Sequence, residues 1–178
     1  MKPETKRVIR EWAESLLIAF ILAMLIRTFV VQAFKIPTSS MEPTLMVGDR
    51  ILVSKFVYRF NKPQPWDVVV FKYPLDRKRD FIKRLVASGG KTVSINNGKV
   101  FIDGKMVDNP HLSEYYYNRG DHGAEGLKVG VPEDKLYVLG DNSFNSQDSR
   151  YWGFVPRKDL IGKAFFIYWP LNRMRIIR

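Results

Sequence analysis

The stretch TVSINNGKVFIDGKMV, residues 92–107, alternates short β-forming runs with the dipeptides Asn97-Gly98 and Asp103-Gly104. Both dipeptides suit tight turns that need positive φ, so the stretch predicts a meander of three antiparallel strands. Working outward, the runs RILVSKF (50–56), DVVVFKY (67–73), FIKRLVA (81–87) and KAFFIYW (163–169) are short and rich in β-branched and aromatic residues, and predict further strands. Residues 108–134 are polar, with Tyr115-Tyr116-Tyr117 as their only hydrophobic cluster. They read as an irregular excursion accompanying the meander as a flap or small subdomain. The expected fold is mainly β, an antiparallel β-barrel or sandwich. Residues 35–91 and 135–178 form its main domain, and 92–134 a β-hairpin insert.

Upstream the period changes. Residues 16–34, LLIAFILAMLIRTFVVQAF, are apolar apart from Arg27, Thr28 and Gln32. As a helix this stretch is about 28 Å long, close to the thickness of a hydrocarbon core. It predicts a transmembrane helix over 15–34 behind a cytoplasmic N-terminus, residues 1–14. The basic residues Lys2, Lys6, Arg7 and Arg10 hold the N-terminus on the cytoplasmic side and send everything after residue 35 across the membrane. A cleaved signal peptide would show a shorter apolar part followed by small residues, whereas Gln32-Ala33-Phe34-Lys35-Ile36-Pro37 follows here. An amphipathic surface helix is the other alternative. Arg27 is costly at mid-bilayer, but a helix starting nearer Ile9 puts it at the outer boundary.

The 178 residues suffice for one compact domain plus an extra segment. Lys and Arg outnumber Asp and Glu by 29 to 18, a net charge of +11 that reports attraction to an anionic partner, either nucleic acid or a membrane surface. The basic residues are scattered through the strands, without a helix-turn-helix, zinc-finger or RNP pattern, which favours an anionic lipid surface over nucleic acid. The absence of cysteine excludes disulfides, thiolate metal sites and a cysteine nucleophile. The two histidines, His111 and His122, lie in polar stretches and give a His-based triad or a zinc site little to work with.

Three segments hold unusual residues: PTSSMEPTL (37–45), FIKR (81–84) and GDNSFNSQDSR (140–150). Each has a structural explanation. Ser39 with Glu42 matches a capping box, Lys83 and Arg84 can snorkel from a strand, and the third segment suits a loop of Asx turns. That segment also mimics the start of a calcium loop, but Ser146 and Trp152 stand where Gly and Glu are needed.

In this order, behind an apolar helix, the three segments resemble the bacterial type I signal peptidases, from Trp12 to about Pro170. The short insert between Lys91 and Asp134 is similar to that of Gram-positive-like or cyanobacterial members. The resemblance implies a membrane-bound serine endopeptidase that removes signal peptides after small residues, in the Ala-x-Ala pattern. It assigns Ser40, in Ser40-Met41-Glu42-Pro43-Thr44, as nucleophile and Lys83 as general base. Ser146 would hydrogen-bond the Lys83 amine. Thr38, through its hydroxyl, and Ser40, through its N–H, would stabilise the oxyanion. Asp148 with Arg150, and Asp141 with Arg84, would brace the site. Ile36, Met41, Leu45, Phe81 and Ile82 are candidate pocket walls. No metal and no cofactor is expected. The implied partners are preprotein signal peptides at the translocon exit and a phospholipid bilayer. The implied location is the cell membrane, single-pass, with the catalytic domain outside the cytoplasm, or in the thylakoid lumen for a cyanobacterial chain.

The chemistry of such a dyad is demanding. A serine hydroxyl needs a neutral base within hydrogen-bond reach, and arginine cannot serve. Lysine, with a free pKa near 10.4, must be depressed by about 2 units, roughly 2.7 kcal/mol against the ammonium. Strand alternation puts Phe81, Lys83 and Leu85 on one apolar face and sends Arg84 to the other. The sequence departs from the family at Ala87-Ser88-Gly89-Gly90-Lys91, where many members have a Leu-Pro-Gly-Asp turn, and at Ser143, a position that is often basic. Two alternatives compete: a LexA-like self-cleaving repressor, against which the membrane span and the lack of a DNA-binding helix pair argue, and a catalytically silent membrane-anchored β-domain that binds peptides or lipids, which only the three motifs together reject.

Overall fold

The computed structural model describes residues 3–112 and 115–177; Lys2, counted above among the basic N-terminal residues, lies outside the described residues. Helix α1 (Pro3–Leu25) continues as a π-helical turn, Ile26–Val30, and passes directly into strand β1 (Val31–Lys35). The segment Arg10–Val30 is long and apolar enough to cross a membrane, and none of it is buried against the rest of the chain. The apolar helix expected through Phe34 is therefore shorter, and Val31–Phe34 are strand. The β-branched and aromatic residues there find a partner strand, β2 (Arg50–Ser54), in a register running from Val31 opposite Ser54 to Lys35 opposite Arg50. Arg27 falls near the C-terminal end of the apolar segment, in the π-helical turn.

The expected strands all form, as β2, β3 (Val68–Lys72), β4 (Asp80–Ser88), the meander strands β5 (Thr92–Asn96), β6 (Lys99–Ile102) and β7 (Lys105–Met106), and β11 (Leu160–Trp169). Strands β8 (Val129–Gly130), β9 (Lys135–Leu139), β10 (Val155–Pro156) and β12 (Arg175–Ile176) join them without having been expected. The main sheet runs β1-β2-β11-β3-β4-β9-β10 with β12 added on β11, and every pairing in it is antiparallel. Bulges in β11 and β4 curl it, but β1 and β10 do not pair, so it is an open half-barrel rather than a closed one.

Strand β3 shows how the core is divided. Val68 and Val70 pack with Ile36, Met41, Leu45, Ile51 and Val53, while Val69 and Phe71 pack with Leu85, Leu136 and Val138. A strand buried on both faces reads as a continuous apolar run, as VVVF does.

The insert sheet, in order β7-β6-β5-β8, turns at Asn97-Gly98 and Asp103-Gly104, with φ of 48° and 70° in the first and 51° and 77° in the second. Its core is shared with the main sheet: Val93, Ile95, Val100, Leu112 and Tyr116 cluster with Val86, Ala87, Tyr137 and Leu139. The insert is thus packed onto β4 and β9 and is not a detached flap.

The two turns make a testable pair. A Cβ at Gly104 meets nothing within 4 Å, whereas one at Gly98 overlaps the Tyr115 ring. Gly104→Ala is expected to lower stability by the left-handed cost alone, about 1 kcal/mol. Gly98→Ala should lose distinctly more in thermal denaturation; equal losses would contradict the packing of Tyr115 on this turn.

Candidate active site

The site is built on β4, between β3 and β9, with Lys83 opposite Val69. Alternation along β4 works as expected: Phe81 and Leu85 join the cluster of Val69 and Phe71, while Ile82 joins that of Val68 and Val70. Lys83 is 4% exposed. Its Nζ donates to Ser40 Oγ at 2.8 Å and to the Ile82 carbonyl at 2.8 Å, and stands 5.6 Å from the Phe81 ring centroid. Burial pushes the Lys83 pKa down to about 8; Asp148 and Asp141 pull against that shift, and Arg150 adds to it.

Ser40 sits in a loop pinched at its base by two backbone bonds, Ile36 N–H to the Asp49 carbonyl and Gly48 N–H to the Ile36 carbonyl, each 2.9 Å. Met41 and Leu45, both fully buried, anchor the loop from below. From above, Asn142 holds it twice: its N–H donates to the Ser40 carbonyl at 3.1 Å and its side-chain amide to the Ser39 carbonyl at 3.2 Å. Thr38 Oγ1 lies 3.4 Å from Ser40 Oγ. Gly140 is required beside this contact, because a Cβ there would overlap both Ser146 Oγ and the Ser40 carbonyl oxygen.

Two buried arginines organise the remainder. Arg84 donates to both oxygens of Asp141, at 2.8 and 2.6 Å, and to the Trp66 carbonyl and Thr44 Oγ1. Arg150 grips both oxygens of Asp148, at 2.8 and 2.9 Å, and donates to Ser143 Oγ and to the carbonyls of Tyr117, Ser143 and Ser146. Asp148 in turn accepts from the Gly140 N–H at 3.0 Å. The expected pairs Asp141–Arg84 and Asp148–Arg150 are both present and fully buried.

Some expected roles are not seen. Ser146 Oγ is buried without a hydrogen-bond partner among the described residues, so its bond to Lys83 is absent; the amine is occupied by Ser40 and the Ile82 carbonyl. The cleft beside Ser40 has a volume of about 400 Å³ and is lined by Pro37, Thr38, Ser40, Asp80, Phe81, Ile82, Lys83, Asn145 and Gln147. Phe81 and Ile82 are walls as expected. Ile36, Met41 and Leu45 are not: they point into the core shared with Val53 and Val68. Sequence reasoning missed Thr44, Asn142, Ser143 and Tyr116, whose hydroxyl donates to the Gly140 carbonyl at 3.0 Å. Thr44, Asn142 and Ser143 stand inside the motifs already singled out, Ser143 as a departure from the family. Tyr116 carried no signal beyond its place in Tyr115-Tyr116-Tyr117.

A serine hydroxyl facing a buried amine at the side of a cleft is the arrangement of a serine-type endopeptidase. Residues 9–169 match the family model for signal peptidase, peptidase S26, and the chain belongs to that family of membrane-associated enzymes, which remove signal peptides. It is 41% identical over 176 residues to the probable signal peptidase I-2 of a Synechocystis strain, covering 94% of this chain and 76% of that one. It is 35% identical to the signal peptidase I of Bacillus licheniformis, covering 96% and 94%. A crystal structure of a signal peptidase I from Enterococcus faecalis superposes with a TM-score of 0.50 at 29% identity, covering 58% of this chain and 97% of that one.

The buried amine has a cost. Below pH 8 both folded and unfolded chains carry the Lys83 proton, and the folded state bears the whole penalty, on the order of 3 kcal/mol for a shift from 10.5 to about 8. Between about 8 and 10.5 the unfolded chain holds more protons, so wild-type stability from this group rises with pH. Lys83→Met is therefore expected to be more stable than wild type at pH 6–7, with the advantage shrinking towards pH 10.5. A destabilised Lys83→Met at pH 6 would contradict the burial.

Proposed function

We propose that the chain removes signal peptides from exported preproteins after small residues, with Ser40 as nucleophile and Lys83 as general base. The observation that carries this is the 2.8 Å contact between Lys83 Nζ and Ser40 Oγ inside a buried setting. When the ammonium loses a proton, its lone pair faces Ser40 Oγ and the hydroxyl becomes the donor. Ser40 then attacks the substrate carbonyl while Lys83 takes the proton, and Lys83 returns it to the leaving amine. The resulting ester is hydrolysed by water activated by the same amine. Among the described residues the Ser40 N–H makes no hydrogen bond, which leaves it available for the oxyanion beside the Thr38 hydroxyl.

Phe81, Ile82 and Pro37 give the cleft apolar walls, which supports a preference for small apolar side chains in the Ala-x-Ala pattern. Arg10–Val30 spans the membrane, with the N-terminus cytoplasmic and the β domain on the far side. Residues 35–91 and 135–178 form the catalytic domain and 92–134 its insert. The preprotein is taken at the translocon exit, and nucleic acid is not a partner.

Cleavage of a purified Ala-x-Ala preprotein by variants with wild-type circular dichroism tests this. Ser40→Ala and Lys83→Met should each lose at least about 10³-fold in kcat/KM, and Thr38→Val about 10²-fold. The wild-type rate should rise through a single ionisation near pH 8 and then level off. Retained activity in either dyad variant, or a rate insensitive to pH between 6 and 9, would overturn the mechanism.

A further inference from the structure

A second cleft, of about 630 Å³, lies between the candidate span and the catalytic cleft; Thr28, Phe29 and Gln32 line one end, and Lys55, Arg59, Lys72 and Arg157 line it elsewhere. Asp80 lines both clefts, so they adjoin. Lys55 ties this cleft to the end of the apolar segment: its Nζ donates to the Thr28 carbonyl and its N–H to the Val30 carbonyl, each at 2.9 Å. Lys72 stands 3.9 Å from Asp80 in a solvent-exposed pair, which leaves most of its field free. Among the described residues Arg59 and Arg157 form no ion pair. Cations thus outnumber carboxylates four to one around this cleft, and it attracts an anion.

The chain between the lining residues Lys55 and Arg59 and just beyond carries a second unusual feature. Helix α2 (Val57–Phe60) follows Lys55 and holds Phe56 and Phe60 outward, 46% and 71% exposed, with ring centroids 4.6 Å apart. Phe29 is 56% exposed in the same region. Exposed aromatic rings interleaved with cations at the end of an apolar helix match the chemistry of a membrane interface, where rings enter the acyl boundary and cations meet phosphates.

We propose that this cleft binds the phosphate of an anionic phospholipid headgroup, with Arg59 and Arg157 as its ligands and Phe56 and Phe60 seated in the acyl boundary. The guanidinium fork suits a phosphate diester. Free phosphate would satisfy the arginines but give the rings no apolar phase, and an acidic peptide has the same defect. The assignment rests on reading Arg10–Val30 as a membrane span.

The test uses the full chain in a nonionic detergent, with thermal denaturation followed during titration of short-chain phosphatidylglycerol. Phosphatidylcholine of the same chain length, inorganic phosphate and polyglutamate are titrated in parallel. Phosphatidylglycerol alone should raise the Tm, and Arg59→Gln/Arg157→Gln should weaken its apparent affinity at least about tenfold. Lys105→Gln/Lys128→Gln, which removes the same charge from exposed positions on the insert, should keep the full response. Arg59→Glu alone supplies the same comparison if the double variant does not fold. An equal response to phosphatidylcholine, phosphate or polyglutamate, or an equal loss in the insert variant, would overturn the proposal. Preprotein cleavage in the same detergent without added lipid should be unchanged in Arg59→Gln/Arg157→Gln. Loss of cleavage in wild type would instead count against the proposed function while leaving lipid binding intact.

Discussion

The structure depends on keeping one amine dry beside one hydroxyl. Lys83 can act as a base near neutral pH only if burial outweighs every nearby negative charge, and two carboxylates, Asp141 and Asp148, lie close enough to favour its ammonium form. Each is gripped through both oxygens by its own arginine, Arg84 or Arg150. The two buried ion pairs therefore brace the 140–150 loop, and Arg150 also offsets part of the negative charge that would hold Lys83 protonated. Such pairs contribute little net stability against their desolvation. Their value here is in setting the field at Lys83 and the position of Gly140 and Asn142 over the Ser40 loop.

The same constraint explains the placement of the site relative to the apolar helix. Strand β1 follows that helix directly, and Ser40 lies 10 residues beyond Val30, at most about 36 Å of extended chain. With Arg10–Val30 across a bilayer, that distance keeps Ser40 close to the membrane surface. Pairing of β1 with β2 makes the tether stiff instead of flexible.

The parts of this arrangement that were legible in the sequence are those set locally or by motif. The turns at Asn97-Gly98 and Asp103-Gly104 depend on two residues each, and the doubly buried β3 announces itself as VVVF. Ser40 and Lys83 were selected by the order and wording of their motifs; no periodicity distinguishes Lys83 from other lysines. Val31–Phe34 were misread as helix because an apolar run reports burial or lipid exposure, and only the partner strand decides its geometry. Met41 and Leu45 follow Ser40 closely in sequence, but on an irregular loop proximity along the chain says nothing of direction, and both turn inward. Residues 108–134 looked like a polar excursion, yet Tyr116 is fully buried and the Tyr117 carbonyl receives Arg150. Those contacts join distant segments and leave no local pattern.

The central claim is that Lys83 is largely neutral at slightly alkaline pH because it is buried against Ser40. Titration of the Lys83 side chain by NMR, with selectively ¹³Cε-labelled lysine and Lys83→Met to assign the signal, measures this directly. A midpoint near 8 in the folded chain, moving towards the ordinary lysine value on unfolding, is the expected result. A folded-state midpoint at or above 10 would show that Lys83 remains an ammonium, and would contradict its role as the base.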